Sequence, residues 1–172
     1  TFRVLGSKYG TIVMALDILK GMAAVSLYTF LPHYMSNELD RTNFMIGLGL
    51  ASVIGHIFPL FAGFKGGKGV ATLLGMILIV QPVVAVSCVG VFLLVLYLTR
   101  YVSLSSILGA LMLPVSVLWI WNEHEIMYRI FALLVAFLVI ITHQKNIIKL
   151  LRGVENRVPI LKHRDRKKSR RQ

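Results

Sequence analysis

Thirty consecutive residues, Val70 to Thr99, contain no Asp, Glu, Lys or Arg. Roughly 20 apolar residues in helical form cross a bilayer core, so this stretch alone directs the chain into a membrane. Lipid offers the backbone no hydrogen-bond partner, and helices satisfy their polar groups internally. The apolar runs are continuous rather than alternating, which excludes a β-barrel reading. The remaining residues agree: 56% are hydrophobic and only 15% are charged, against ~25% charged in an average soluble domain.

The pattern predicts an all-α integral membrane protein with about six spans, near 11–32, 44–60, 70–81, 83–98, 105–121 and 128–142. The division inside the long run rests on Gln81-Pro82. One helix over 70–98 would be ~43 Å long, too long for a ~30 Å core without steep tilt. Proline removes a ladder donor and restricts the residue before it.

Charge sets the orientation. With six spans, 16 of the 19 basic residues fall on one side, including Arg3, Lys8, Lys65, Lys68, Arg100 and all those after residue 142. The positive-inside rule makes that side cytoplasmic. Residues 1–158 read as one transmembrane domain. Residues 159–172 read as a basic, disordered cytoplasmic tail attracted to anionic lipid. The same tail could suggest nucleic acid, but inside-positive flanks already account for its charge, so no nucleic-acid partner is expected. The single cysteine, Cys88, lies in an apolar run and reads as a small buried hydrophobe.

The unusual residues gather on the basic side. Residues 55–72 read GHIFPLFAGFKGGKGVAT. Pro59 ends one helix, and Gly63, Gly66, Gly67 and Gly69 interleave with Lys65 and Lys68 before the next begins. Glycines allow close backbone approach, and helix N-termini with lysines favour anions. The run reads as a phosphate cradle, with an ordinary flexible cationic loop as the alternative. It is not a Walker A loop, because Gly69 follows Lys68. His56 is a ligand candidate there or a packed structural residue.

At 100–106, RYVSLSS places Arg100 beside hydroxyls at a helix start. Ser103 or Ser105 would serve as an N-cap as readily as a ligand group. At 143–155, HQKNIIKLLRGVE places His143, Asn146 and Lys149 on roughly one helical face; a solvated juxtamembrane helix would look the same. Asp17 and Lys20, three apart in the first span, read as an internal ion pair or a functional site. The five histidines are scattered, without metal-ligand spacing, so neither a metal nor a cofactor is expected. The common acyltransferase pattern of His followed five residues later by Asp is absent.

These segments resemble the acyl-phosphate:glycerol-3-phosphate acyltransferases, the PlsY family of bacterial inner-membrane enzymes. GHIFPLFAGFKGGKGVAT resembles the family's second motif, RYVSLSS its Arg-Tyr-x-Ser segment, HQKNIIKLLRGVE its third motif, and Asp17-x-x-Lys20-Gly21 fits as well. The family has a further first helix and a Gly/Asn-rich motif ending Ala-Thr-Asn ahead of an Arg matching Arg3. That helix and most of that motif are not in this sequence, so seven family spans become six. The resemblance implies transfer of a fatty acyl chain from acyl phosphate to the 1-hydroxyl of glycerol 3-phosphate, giving lysophosphatidic acid. It implies Ser103, His143, Asn146, Lys65 and Lys68 as catalytic residues. Arg3, Gly63, Gly66, Gly67, Gly69, His56, Arg100 and Lys20 would bind substrate, and Glu155 and Asp17 would be structural. Membrane lipid and the enzyme that makes acyl phosphate are the implied partners. An anion transporter would share the basic loops but would need polar groups at mid-membrane. A scaffold would not need the glycine loop.

Overall fold

The computed structural model describes residues 2–30, 37–122 and 124–158. The basic tail 159–172 and the expectations attached to it lie outside the described residues. So does the side chain of Arg3. Among the described residues the regular elements are all helical. They are α1 (Phe2–Ser26), α2 (Glu38–Ile57), α3 (Val70–Val80), α4 (Pro82–Thr99), α5 (Val102–Val115), α6 (Ile126–Thr142) and α7 (Gln144–Leu151).

Local chemistry sets the boundaries. Asn37 caps α2, its side chain accepting from the Asp40 N–H at 2.8 Å, while Glu38 and Asp40 face the positive end of the helix dipole. Pro82 opens α4 at the position where its missing N–H costs nothing. Gly6 (φ 79°) kinks α1, and a 3-10 turn, Leu27–Phe30, extends it. Pro114 lies inside α5, which passes into a π-helical turn, Ser116–Ile120.

The break at Gln81 is present, and the chain folds back there. One cavity is lined by Val70 and Ile77 of α3 together with Ala85 and Leu93 of α4. In a continuous helix Val70 and Leu93 would stand about 34 Å apart, so the two helices form a hairpin. α3 has 11 residues and is only ~16 Å long, short of a ~30 Å core by itself. Four helical stretches are long and apolar enough to cross: Gly6–Phe30, Glu38–Ala62, Pro82–Thr99 and Val102–Ile120. α6 and α7 together make a fifth, bent by 63°. Four helices of crossing length, the bent α6–α7 pair and the short α3 occupy the six apolar stretches read from the sequence.

The outward faces are what lipid requires. α4 buries only Val84 and Ala85 deeply, leaving Val86, Leu93, Leu94, Tyr97 and Leu98 exposed. In water such a patch would aggregate; in a bilayer it is solvated. Inside, small residues bring backbones together, as membrane helices need. A Cβ on Gly21 would collide with the Thr72 carbonyl, and one on Gly75 with the Ile18 carbonyl.

Candidate active site

The chain places three segments at one end of the bundle: the loop between α2 and α3, the turn between α4 and α5, and the α6–α7 hinge with the irregular segment after α7. Lys68 Nζ donates to Asn146 Oδ1 at 2.6 Å across 78 residues of sequence. Asn146 Nδ2 donates to Glu155 Oε2 at 3.2 Å. The Val158 N–H donates to the Arg100 carbonyl at 2.9 Å, and Arg157 Nε donates to the Tyr101 hydroxyl at 3.0 Å.

His143 is the hinge. It ends α6 and precedes α7 with non-helical φ/ψ, so His143, Asn146 and Lys149 do not share one continuous helical face. The bend buries His143 to 2% exposure and leaves Lys149 outside. Gly153 (φ 70°) then reverses the chain, and this returns Glu155 to Asn146. His143 Nδ1 lies 2.8 Å from the Val139 carbonyl. A carbonyl only accepts, so Nδ1 carries the hydrogen, and in the neutral ring Nε2 is an acceptor. Lys68, rather than Lys149, is the cation that reaches Asn146.

Ser103 is 5% exposed, and its Oγ has no hydrogen-bond partner among the described residues. It does not cap α5: the N-cap is Tyr101, and Ser103 lies one residue inside the helix. Ser105 is not a cap either, since its Oγ donates back to the Tyr101 carbonyl at 2.8 Å. Thr72, buried on the first turn of α3, likewise has an unpartnered Oγ1. Sequence reasoning passed over Thr72 although it closes the glycine-rich run. It also passed over Thr142, whose hydroxyl reaches toward the Lys68 carbonyl at 3.5 Å.

The glycine loop divides in two. The Gly66 and Gly67 N–H groups donate at 3.2 Å to the Ile57 and His56 carbonyls, the free C-terminal acceptors of α2. They hold the loop and are not free for an anion, which narrows the expected cradle. Gly69 (φ 78°) caps α3, whose first N–H groups point out of the helix. Gly63 (φ 60°) turns the chain on the exposed part of the loop, beside exposed Lys65. Arg100 ends α4 in the left-handed region (φ 62°) and is exposed. Asp17, Lys20 and His56 form a separate cluster: Asp17 Oδ1 is 3.4 Å from Lys20 Nζ and 3.3 Å from His56 Nδ1. The structure therefore joins Lys68, Asn146, Glu155 and His143. It puts Lys65, Arg100 and Gly63 on the exposed rim, and Lys20 and His56 on Asp17. Among the described residues no three His, Cys, Asp or Glu side chains converge as a metal would require.

Beneath the polar cluster lies an apolar cavity of about 350 Å³ between α1, α3, α4, α5 and α6. Val70, Val102 and Val139 line it. Two of them adjoin the polar cluster, Lys68 standing two positions before Val70 and His143 bonding Val139, and the third, Val102, precedes the buried Ser103. Ile77, Ala85 and Leu113 line it further along the helices.

A family model described as glycerol-3-phosphate acyltransferase matches residues 1–153. The chain belongs to the glycerol-3-phosphate acyltransferase family. It is 39% identical to a glycerol-3-phosphate acyltransferase of Chlorobium phaeobacteroides, covering 94% of this chain and 80% of that protein. It is 41% identical to one of Fusobacterium nucleatum, covering 91% and 76%. Crystal structures of PlsY, an integral membrane glycerol 3-phosphate acyltransferase, superpose with TM-scores of 0.78 for the glycerol 3-phosphate form and 0.76 for the lysophosphatidic acid form, each at 37% identity. They cover 91% of this chain and 74% and 76% of PlsY. An acyltransferase family and an all-helical membrane fold are thus both in place.

Proposed function

We propose that this chain transfers a fatty acyl group from acyl phosphate to the 1-hydroxyl of glycerol 3-phosphate, giving lysophosphatidic acid and phosphate. The observation that carries the reading is a cationic cluster around Lys68 and His143 whose neighbours Val70 and Val139 line an apolar cavity. One substrate is small and phosphorylated; the other joins a phosphate to an alkyl chain. The cavity suits the chain, and Lys68, Ser103 and the α3 N-terminus suit the phosphates.

The reaction needs no covalent intermediate. The glycerol oxygen attacks the acyl carbonyl carbon, the carbon–oxygen bond to phosphate breaks, and the hydroxyl proton leaves on a phosphate oxygen. Lys68 stabilises charge on the departing phosphate. His143 Nε2 accepts from the other hydroxyl of glycerol 3-phosphate and so orients the molecule, and Asn146 is held in register by Lys68 and Glu155. Lys65 and Arg100 attract the anions from the rim. Val139 supplies the orientation of His143 that no carboxylate at helical spacing could.

The enzyme works in a bacterial inner membrane with this end cytoplasmic, where it meets lipid and the enzyme that makes acyl phosphate. In a Cys88→Ala background, an impermeant thiol reagent applied outside labels Asn122→Cys and not Lys145→Cys; outside labelling of Lys145→Cys overturns the orientation. Full-length protein in membranes, given acyl phosphate and labelled glycerol 3-phosphate, yields labelled lysophosphatidic acid and equimolar phosphate. Uptake of label into sealed vesicles without acylation would favour a transporter.

A further inference from the structure

Asp17 and His56 stand apart from the groups assigned to the chemistry, yet His56 touches the loop that carries Lys68 and Asp17 touches His56. His56 lies in the last turn of α2 and is largely buried, its side chain 14% exposed. Its Nδ1 donates toward Asp17 Oδ1 on α1 at 3.3 Å, and Lys20 approaches the same oxygen at 3.4 Å. With Nδ1 so engaged, the other edge of the ring faces Gly67. A Cβ at Gly67 would collide with His56 Nε2, while its next nearest contacts are carbons of the same ring at 3.1 Å. Gly67 is not among the residues with positive φ, so its backbone conformation is open to alanine. The imidazole is what excludes a side chain there. The Gly67 N–H meanwhile donates to the His56 carbonyl at 3.2 Å, which fixes the loop against the same residue twice. Lys68 follows directly and reaches Asn146.

We propose that Asp17 and His56 are positioning residues: Asp17 holds the imidazole edge-on against Gly67, and this contact sets the glycine loop so that Lys68 reaches the site. The inference rests on the proposed acyl transfer, since Lys68 matters through it. It reassigns the glycine at 67. That residue is small to admit a histidine ring, not to let backbone meet a substrate phosphate.

The test is a double-mutant cycle of Gly67→Ala and His56→Ser in the full-length membrane protein, with kcat/KM and thermal unfolding measured on each variant. Gly67→Ala alone displaces the loop and lowers kcat/KM about a hundredfold, the order expected for a misplacement of ~1 Å. His56→Ser costs about tenfold, and the double variant is no worse than His56→Ser, because residues in contact are non-additive. Multiplying losses would overturn the proposal and restore the substrate-approach reading. Asp17→Asn keeps an acceptor for Nδ1–H and retains at least about tenfold more activity than Asp17→Leu at equal folded protein; equal losses would count against orientation. If wild-type protein fails to turn over acyl phosphate, the functional reading falls, and the thermal cycle still decides the contact. Gly67→Ala then lowers the unfolding midpoint or the folded yield, and the double variant recovers it. Failure of the double variant to recover would refute the contact.

Discussion

The two ends of the bundle hold their cations differently. At the end away from the glycine loop, Arg41 donates to the Tyr28 hydroxyl, lies over the Tyr28 ring at 4.6 Å, and sits 3.9 Å from Glu38. Its partners belong to the same two neighbouring helices, α1 with its extension and α2. At the loop end, Lys68 reaches across the fold to Asn146, the Ser103 hydroxyl near the start of α5 is buried with no partner among the described residues, and Val70, two residues after Lys68, lines an apolar cavity. Burying an unpartnered hydroxyl costs on the order of 1–3 kcal/mol, which a substrate contact would offset. A cation satisfied by its own neighbours ties helices together. One that bridges distant segments beside a cavity brings the parts of a site together.

Lys68→Ala is the sharpest way to break that contrast. It removes a charge-assisted contact worth ~1.5–3 kcal/mol, so kcat/KM for acyl transfer falls by about one to two decades; wild-type kinetics would reduce the loop to a flexible tether. Filling the cavity comes next. Ala110→Phe places a ring against the cavity wall and raises KM for a long-chain donor by about tenfold, overpacking costing ~1–3 kcal/mol, while a short-chain donor is little affected. Equal effects on both would detach the cavity from the acyl chain.

His143→Gln is a finer probe. It keeps hydrogen bonding but loses basicity, and it retains most of kcat at saturating glycerol 3-phosphate. A general base typically supplies ~10²–10⁴-fold, so a thousandfold fall with unchanged KM would make His143 the base. Arg41→Ala is the smallest effect: exposed pairs are worth ~0–1 kcal/mol, so turnover changes less than about twofold. A larger loss of activity at equal folded protein would erase the distinction between the ends.

Local signals carried the helices. The Gln81-Pro82 break, the stop at Pro59 and the restart after Gly69 each follow from one or two residues, and the structure has all three. The site was legible as three separate segments, and its internal connections were not. Lys68 and Asn146 are 78 residues apart, and Glu155 reaches Asn146 only because Gly153 reverses the chain; helical spacing put it over three turns from His143. Hydroxyl-bearing residues near a helix start suggested caps, yet tertiary packing buried Ser103 inside α5. Four glycines with two lysines suggested one cradle, but two of their N–H groups close the end of α2. Composition cannot distinguish a glycine that meets a ligand from one that meets a histidine.

The central claim is that an activated, phosphate-bearing acyl chain enters this site and glycerol 3-phosphate takes the acyl group. Parallel initial-rate measurements with acyl phosphate and with acyl-CoA, each with labelled glycerol 3-phosphate and the same membranes, test it directly. The account predicts labelled lysophosphatidic acid from acyl phosphate and none above background from acyl-CoA. Comparable turnover with acyl-CoA, or no product from acyl phosphate, would contradict it.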